Sequence, residues 1–496
     1  MKLPQEKEYA GRGRQIPSIV KPFFVILFLV CIDLIAFGFA YLLAFYTRSL
    51  LSLFEAERFS GTLSLNRIFP LWWTPFVFVF FIAYERLYTY RLPFWDEARS
   101  LIKSVSVSMV IILSAVNIYE LSYGFSRLKL VLFWIFAIFI FPTFRLWGKR
   151  CLSRLGWWNE NVIIIGAGTA GKAVAQALNS DAHMGFNLVG FLDDSPDKIA
   201  SMIEINGREY KVFGRVRNYK KFVSFLNISS VIIAIPSLRP DKLTKLANSI
   251  QKYTKQVLLI PDLKGLSLLN TELRHLFEQQ MFLLKINNNL KNFVTRFFKR
   301  VSDIALSLML FPFVVPVICL IWIMLKLDSG GPAFFVQDRL GRKGVFKCIK
   351  FRTMHQDSDK LLADHLQANP AASEEWEKYK KLRDYDPRVT KIGKWLRNTS
   401  LDELPQLFNV LKGDMSLVGP RPYMPSESKD IGDSIETILL INPGITGLWQ
   451  VSGRNGLSFQ HRIELDKWYI LNWSLWFDIV ILCKTLGVVI KRQGAY

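Results

Sequence analysis

Apolar runs and polar intervals divide the chain into three unlike stretches. After a polar, basic lead (Lys2, Lys7, Arg12, Arg14, Lys21) comes KPFFVILFLVCIDLIAFGFAYLLAFYT. Its length and the lack of a small-residue cleavage pattern predict a transmembrane helix over about 22–46, not a secretory signal. Runs at about 69–85, 104–121 and 129–147 predict three more spans, the first of these with Trp72 and Trp73 as interface residues. Arg86, Arg91, Arg99 and Lys103 lie between the second and third spans, and Lys149, Arg150 and Arg154 follow the fourth. The other two loops are poorer in Lys and Arg, so the positive-inside bias places both ends of this four-helix region, 1–155, in the cytoplasm.

From 156 the pattern becomes that of an α/β domain. NVIII (161–165), LVGFLDD, VIIAIP and VLLIP read as buried strands alternating with helical segments to about 285. That predicts a parallel sheet with crossover helices, a Rossmann-like domain over 156–288. Gly166, Gly168 and Gly171 form GxGxxG between a strand and a helix, and Asp193, with Asp194, follows where a ribose-binding acid belongs. These are the candidate dinucleotide-binding residues. A membrane-bound NAD-dependent nucleotide-sugar dehydratase would share this front half. It would also use a Tyr and a Lys four apart, and no YxxxK occurs in the chain. A nucleotide-sensing or structural role is favoured.

A second kind of membrane signal opens the last domain, 289–496. Residues 304–326, IALSLMLFPFVVPVICLIWIMLK, carry no charge before Lys326 and are long enough to span, but hold Pro312 and Pro316 mid-run. Both flanks are basic: Arg296, Lys299 and Arg300 before; Lys326, Arg339, Arg342, Lys343, Lys347 and Lys350 after. A re-entrant helix over about 301–326, entering and leaving on one side, satisfies both facts. The charged stretch 355–385 predicts an exposed helical insertion. The C-terminal WYILNWSLWFDIVILCKTLGVVIKR, with Trp468, Tyr469, Trp473, Trp476 and Lys484, predicts an interfacial amphipathic helix. The fold class is thus a membrane protein of mixed type: a four-helix transmembrane region, a Rossmann-like α/β domain, and an α+β catalytic domain with a re-entrant membrane helix and interfacial amphipathic helices.

Composition narrows the partners. The 496 residues are 51% hydrophobic and 14% aromatic, with 63 Lys+Arg against 41 Asp+Glu and a net charge of +22. Disordered, fibrous and ordinary soluble classes are excluded. The charge asks for an anionic partner, and the apolar runs make that membrane lipid headgroups and phosphate-bearing substrates, not nucleic acid. The five cysteines form no CxxC and the five histidines no HExxH, so neither a disulfide framework nor a zinc site is indicated.

The densest chemistry lies in RNTSLDELPQLFNVLKGDMSLVGPRP, 397–422. Ser400 and Glu403 read as a capping box, with Pro405 in the first turns of the helix that follows. The same geometry puts Asp402 at a helix N-terminus, where the macrodipole favours a carboxylate and an incoming phosphate. Asp402 and Glu403 are adjacent carboxylates able to hold a hard cation such as Mg2+ against a diphosphate. Arg397 and Arg421, with Lys350 and Arg352 of KFRTM, would neutralise phosphate oxygens. A carboxylate nucleophile, Mg2+ and several cations together suggest phosphoryl transfer through an aspartyl intermediate. PGITGLWQVSGRN (443–455), with Trp449 and Arg454, is a loop able to approach a nucleotide, and Asp466 stands in IELDKWY.

KRVSDIALSLML, KLDSGGPAFFVQDRLGRKGVFKCIKFRTM, DPRVTKIGKWLRNTSLDELPQLFNVLKGDMSLVGPRP and PGITGLWQVSGR together resemble the monotopic phosphoglycosyl transferases, bacterial sugar transferases that act on polyprenyl phosphate. The resemblance covers about 295–496, and the first 290 residues look like the N-terminal half of the large members. RLPFWDEA, and NWSLWFDIVILCKT to the terminal GAY, resemble the members that move galactose 1-phosphate onto undecaprenyl phosphate. The resemblance implies that Asp402 attacks the β-phosphate of a UDP-sugar, expels UMP and holds the sugar phosphate until undecaprenyl phosphate takes it. It implies a Mg2+ site at Glu403 and Asp402, and substrate contacts at Lys350, Arg352, Arg397, Arg421 and Asp466. Pro316 falls at the family's re-entrant break, where Val315 replaces a frequent Ser. The Rossmann-like domain would be regulatory or assembly-related. A homodimer in the bacterial inner membrane is implied, its catalytic domain on the cytoplasmic face, performing the first membrane step of O-antigen, capsule or exopolysaccharide synthesis. Galactose is the implied hexose and glucose the alternative.

Overall fold

The computed structural model describes residues 21–51, 72–118, 127–261, 271–276, 281–286, 293–328, 331–355, 357–373, 382, 386–453 and 457–491. The basic lead before residue 21, residues 69–71 of the second expected span, most of 374–385 and Arg454 lie outside them. The chain divides into two units, Met1–Asp262 and Leu263–Tyr496.

In the first unit, α1 (Lys21–Leu51), α3 (Phe94–Ile118) and α4 (Arg127–Arg154) are each long and apolar enough to cross a membrane. The second expected span is shorter than its hydropathy suggests: α2 is the 11-residue helix Thr74–Tyr84, about 16 Å at 1.5 Å per residue. The chain turns at Arg86, whose φ is +56°. Helix α3 begins ten residues before the expected 104, because Pro93 sets its entry and Asp96 and Glu97 suit the positive end of the dipole. Charged groups inside the bundle fix its register. Arg145 pairs with Asp33 at 2.6 Å, Tyr88 donates to Asp33 at 2.8 Å, and Lys149 pairs with Glu97 at 2.7 Å, all of them buried.

The α/β part of this unit is a six-stranded sheet in the order β3-β4-β2-β1-β5-β6. Its strands are β1 Glu160–Ile165, β2 Phe186–Leu192, β3 Met202–Ile205, β4 Arg208–Gly214, β5 Ser230–Ile233 and β6 Gln256–Leu259, all parallel but β3. Helices α5 (Thr169–Ser180), α6 (Tyr219–Phe225) and α7 (Pro240–Gln251) provide crossovers. The sheet ends at Leu259, short of the expected 288. Strands β7 (Thr271–Leu276) and β8 (Met281–Ile286) pair antiparallel with each other and belong to the second unit.

After this pair comes α8, Phe293–Asp328, 36 residues with Pro312 and Pro316 inside. Its first arm grips the body of the unit: Lys299 donates to the Val418 carbonyl and pairs with Asp478, Arg300 donates to the Val410 and Leu411 carbonyls, and Asp303 accepts from the Ser416 hydroxyl and Leu417 N–H. On its second arm Ile318, Ile321 and Leu325 are buried with Ala333, Phe351 and Leu396. Between the arms Leu308, Met309, Leu310 and Phe313 are exposed. Then follow the hairpin β9 (Phe334–Gly341) and β10 (Gly344–Phe351), α9 (Ser358–Ala368), α10 (Lys391–Thr399), α11 (Gln406–Lys412), β11 (Ser416–Val418) parallel to β12 (Gly444–Thr446), α12 (Phe459–Leu471) and α13 (Leu475–Lys491).

Candidate active site

Thr390 caps α10 by accepting from the Gly393 N–H at 2.8 Å. Gly393 is required there, because a Cβ would overlap the Thr353 carbonyl; the close approach docks α10 on the strand end that carries KFRTM. Arg397, in the last turn of α10, donates through Nε to the Thr353 hydroxyl at 2.9 Å. The helix closes at Ser400, which takes φ +57° and donates its N–H back to Arg397 and Leu396. The expected capping box is therefore not formed: Ser400 ends α10, its side chain makes no cap bond to the following turn, and α11 begins only at Gln406 after Pro405. Asp402 and Glu403 lie in the 3-10 turn Leu401–Glu403 between the two helices.

That turn aims Glu403 at β10, where Lys350 pairs with it at 2.6 Å. Burial opposes charge on Lys350, but Glu403 and then Asp402 outweigh it and hold the ammonium above its ordinary pKa. Burial, followed by repulsion from Glu403, pushes Asp402 up to about 6; Lys350 and Arg397 oppose the rise. Asp402, Glu403, Lys350 and Arg397 therefore form one electrostatic group. Arg352 is buried one residue past β10, with its N–H on the Ala333 carbonyl.

Arg421 sits on the loop after β11. Its N–H donates to Asp466 at 3.0 Å and its guanidinium lies 5.4 Å from the Trp449 ring centre, with Arg462 at 5.5 Å from the same ring. Asp466, expected to touch substrate, is fully buried and accepts also from Tyr423 at 2.9 Å. Alpha12 turns it into the core, so it braces the Arg421 loop from within instead of facing a ligand. Burial pushes its pKa up to about 7, against the two hydrogen bonds and Arg421. Sequence reasoning missed Arg339 and Tyr423. Arg339 donates to the Pro422 carbonyl at 2.9 Å and senses both Arg421 and Glu403 electrostatically, so it links the two groups of site residues. Only the β9–β10 register places it there.

Among the described residues no cluster of three His, Cys, Asp or Glu is placed to hold a metal. In the α/β domain, Gly166 at φ +103° admits no Cβ without striking the Ala234 carbonyl, and Gly171 packs on the Gly166 carbonyl. Gly168 precedes the first turn of α5. Asp193 is not held open for a ribose: it accepts from the Ala167 and Ser195 N–H groups, each at 2.8 Å. Burial opposes its ionisation, but these bonds hold it below the usual carboxylate range. The acid braces the glycine loop.

A bacterial sugar transferase family model matches residues 294–492, and a CoA-binding domain model matches 89–261. The chain is 39% identical over 417 residues to an undecaprenyl-phosphate galactose phosphotransferase of Salmonella typhimurium, covering 83% of this chain and 84% of that one. It is 37% identical to a UDP-galactose-lipid carrier transferase of Erwinia amylovora, covering 83% and 84%. The chain belongs to the bacterial sugar transferases. This sugar transferase is also 31% identical to a UDP-glucose:undecaprenyl-phosphate glucose-1-phosphate transferase of Escherichia coli, covering 70% and 72%. The family match spans the turn carrying Asp402 and Glu403 and every cation grouped around it.

Proposed function

We propose that this sugar transferase moves a hexose 1-phosphate, galactose 1-phosphate, from a UDP-sugar to undecaprenyl phosphate and releases UMP through a covalent Asp402 intermediate. The observation that carries the reading is a half-buried carboxylate, Asp402, held between a Lys350–Glu403 ion pair and Arg397. At pH 7 a carboxyl group titrating near 6 is mostly ionised. An Asp402 oxygen attacks the β-phosphorus, and the bond from that phosphorus to the bridging oxygen breaks, leaving UMP with the electron pair. The product is an acyl phosphate that carries the sugar. A phosphate oxygen of undecaprenyl phosphate then attacks the same phosphorus, the bond to Asp402 breaks, and the carboxylate is restored. Lys350, Arg397 and Arg421 supply positive charge to the diphosphate as it forms and cleaves.

Asp402 and Glu403 suit Mg2+: two hard oxygen donors leave the remaining positions to phosphate and water, as that ion prefers. When bound, Mg2+ would withdraw charge from the diphosphate oxygens. Galactose is favoured over glucose by the higher identity and coverage of the galactose-named relatives. We further propose that α8 is re-entrant. A straight 36-residue helix would reach about 54 Å, yet residues of both arms pack on the same unit while Leu308, Met309, Leu310 and Phe313 around the two prolines stay exposed. This course, with basic residues on both flanks, supports a catalytic domain on the cytoplasmic face of the inner membrane.

The test is nucleotide release from membranes holding the full chain, given UDP-galactose, Mg2+ and undecaprenyl phosphate. UMP in step with a lipid-linked sugar is expected, and Asp402→Asn should reduce it to background with insertion unchanged. UDP as the released nucleotide, or near-normal turnover by that variant, sinks the covalent mechanism. Competition by UDP-glucose decides the hexose.

A further inference from the structure

The transferase chemistry leaves unused a basic cleft in the first unit, where the end of α4 meets the α/β domain. It is open to solvent, encloses about 260 Å³ and is lined by Arg150, Ser153, Arg154, Ser180 and His183. The three α4 residues share one helix face at i, i+3 and i+4 spacing. Neither guanidinium has an ion-pair partner among the described residues, whereas the other cations at this end of α4 do: Lys149 pairs with Glu97, and Arg145 with Asp33. His183 lines the cleft, and its Nε2 is buried with no hydrogen-bond partner among the described residues. Burial lowers the pKa of that ring, so it adds little positive charge to the cleft. Ser153 and Ser180 also line it, their hydroxyls donating to Asn159 Oδ1 and the Gln176 carbonyl, so the two guanidinium groups are its free donors.

The helix ends nearby work against an anion, since α4 and α5 both finish here and each C-terminus carries roughly half a negative charge. Two full guanidinium charges exceed that. Depth then identifies the ligand. Trp147, 60% exposed, lies three and seven residues before the two arginines on the same side of α4. An exposed Trp just below two basic residues at the end of an apolar helix is the arrangement that sits at the headgroup level of a bilayer.

We propose that this cleft binds a phosphate group, and that its occupant is the headgroup of an anionic glycerophospholipid with its chains alongside Trp147. Such a ligand would fasten the junction of α4 and the α/β domain to the membrane surface, away from the transfer chemistry.

The experiment uses the full chain in nanodiscs of phosphatidylcholine with a minor share of phosphatidylglycerol, with retained lipid counted by native mass spectrometry. Wild type should retain phosphatidylglycerol selectively. Arg150→Gln/Arg154→Gln should weaken that retention on the order of tenfold or more, from about 1 kcal/mol per basic residue. Arg150→Lys/Arg154→Lys should keep most of it and confirms that the site tolerates substitution. Lys242→Gln/Lys245→Gln, a charge-matched change on exposed positions of α7, should change nothing. Equal retention by wild type and the Arg→Gln pair overturns the site, as does equal loss in the α7 control, which would mean diffuse surface attraction. Displacement by inorganic phosphate with no preference between the two lipids overturns the lipid assignment in favour of a free phosphate.

Discussion

Replacing Asp466 tests whether a residue sealed inside the fold governs the Arg421 loop. Asp466→Ala removes one carboxylate oxygen that accepts from the Arg421 N–H at 3.0 Å and the Tyr423 hydroxyl at 2.9 Å. Tyr423 is buried, so two donors are stranded at about 1–3 kcal/mol each, or about 2–6 kcal/mol in total. The loop recovers part of that by moving, which displaces Arg421 and should lower kcat/KM for UMP release by at least tenfold. Asp466→Asn is the discriminating partner, because its amide oxygen can still accept both bonds. The two variants also separate in pH dependence. Asp466 titrates near 7 in the fold against 3.8 as its ordinary value. The folded state therefore holds the proton more tightly, so stability is fully present below the unfolded value and falls as pH rises towards 7. From pH 5 to 8 this group alone should cost wild type about 2–3 kcal/mol, at 1.36 kcal/mol per unit up to pH 7 and almost nothing beyond. Asp466→Asn should lack that component. Unfolding in detergent at pH 5, 6, 7 and 8, with UMP release alongside, measures both. Wild-type kcat/KM in Asp466→Ala, or an undiminished pH-dependent loss in Asp466→Asn, would refute the bracing role.

Three further perturbations probe other parts. Lys350→Met should reduce UMP release about 10²–10³-fold, with Lys350→Arg recovering part, because an ammonium paired with Glu403 at 2.6 Å is lost beside the reacting carboxylate; a loss under threefold removes Lys350 from the chemistry. Gly393→Ala drives a methyl into the Thr353 carbonyl and should cost about 1–3 kcal/mol and much of the turnover by parting Arg397 from its strand; unchanged melting and activity would show that the contact yields freely. Arg145→Leu leaves Asp33 charged and buried, at an expected 3–5 kcal/mol. Asp33→Leu/Arg145→Leu should melt closer to wild type, and identical melting of single and double variants contradicts the pairing.

The apolar runs made α1, α3 and α4 legible, and the strand patterns revealed the central sheet, because both report one-dimensional periodicity. Helix α2 ends where hydropathy put it, just before the turn at Arg86, but begins only at Thr74, next to Pro75, because hydropathy counts Trp72 and Trp73 as apolar without seeing that they lie in a turn. The Ser400–Glu403 capping pattern was present in sequence but lost to a tertiary demand: α10 had to close at Ser400 so that Glu403 could meet Lys350. Asp466 was found through family motifs and misplaced, since nothing local says that α12 turns it inward. Arg339 was passed over as one basic flank residue among several. The Asp33–Arg145 pair joins residues 112 apart, and each alone reads only as a charge interrupting an apolar run.

The contacts of α8 explain why the reacting groups and the membrane element share one fold. Its first arm fixes Val418: Lys299 donates to that carbonyl, and Asp478 gathers Lys299, the Tyr469 hydroxyl and the Trp473 indole. Three residues later the chain reaches Arg421. The second arm packs on Phe351 and Leu396, next to Arg352 and Arg397 and on the elements that carry Lys350 and Arg397. Both sources of positive charge are thus tied to one helix whose exposed Leu308, Met309, Leu310 and Phe313 suit lipid. In the proposed reaction a lipid-borne phosphate arrives at a depth set by its chain and a soluble donor arrives from water, so their phosphorus atoms meet only if the cations stand at a fixed height above the apolar part of α8. A loosely tethered domain would have to find that height anew for every transfer; Lys299, Asp303 and Asp478 build it into the packing.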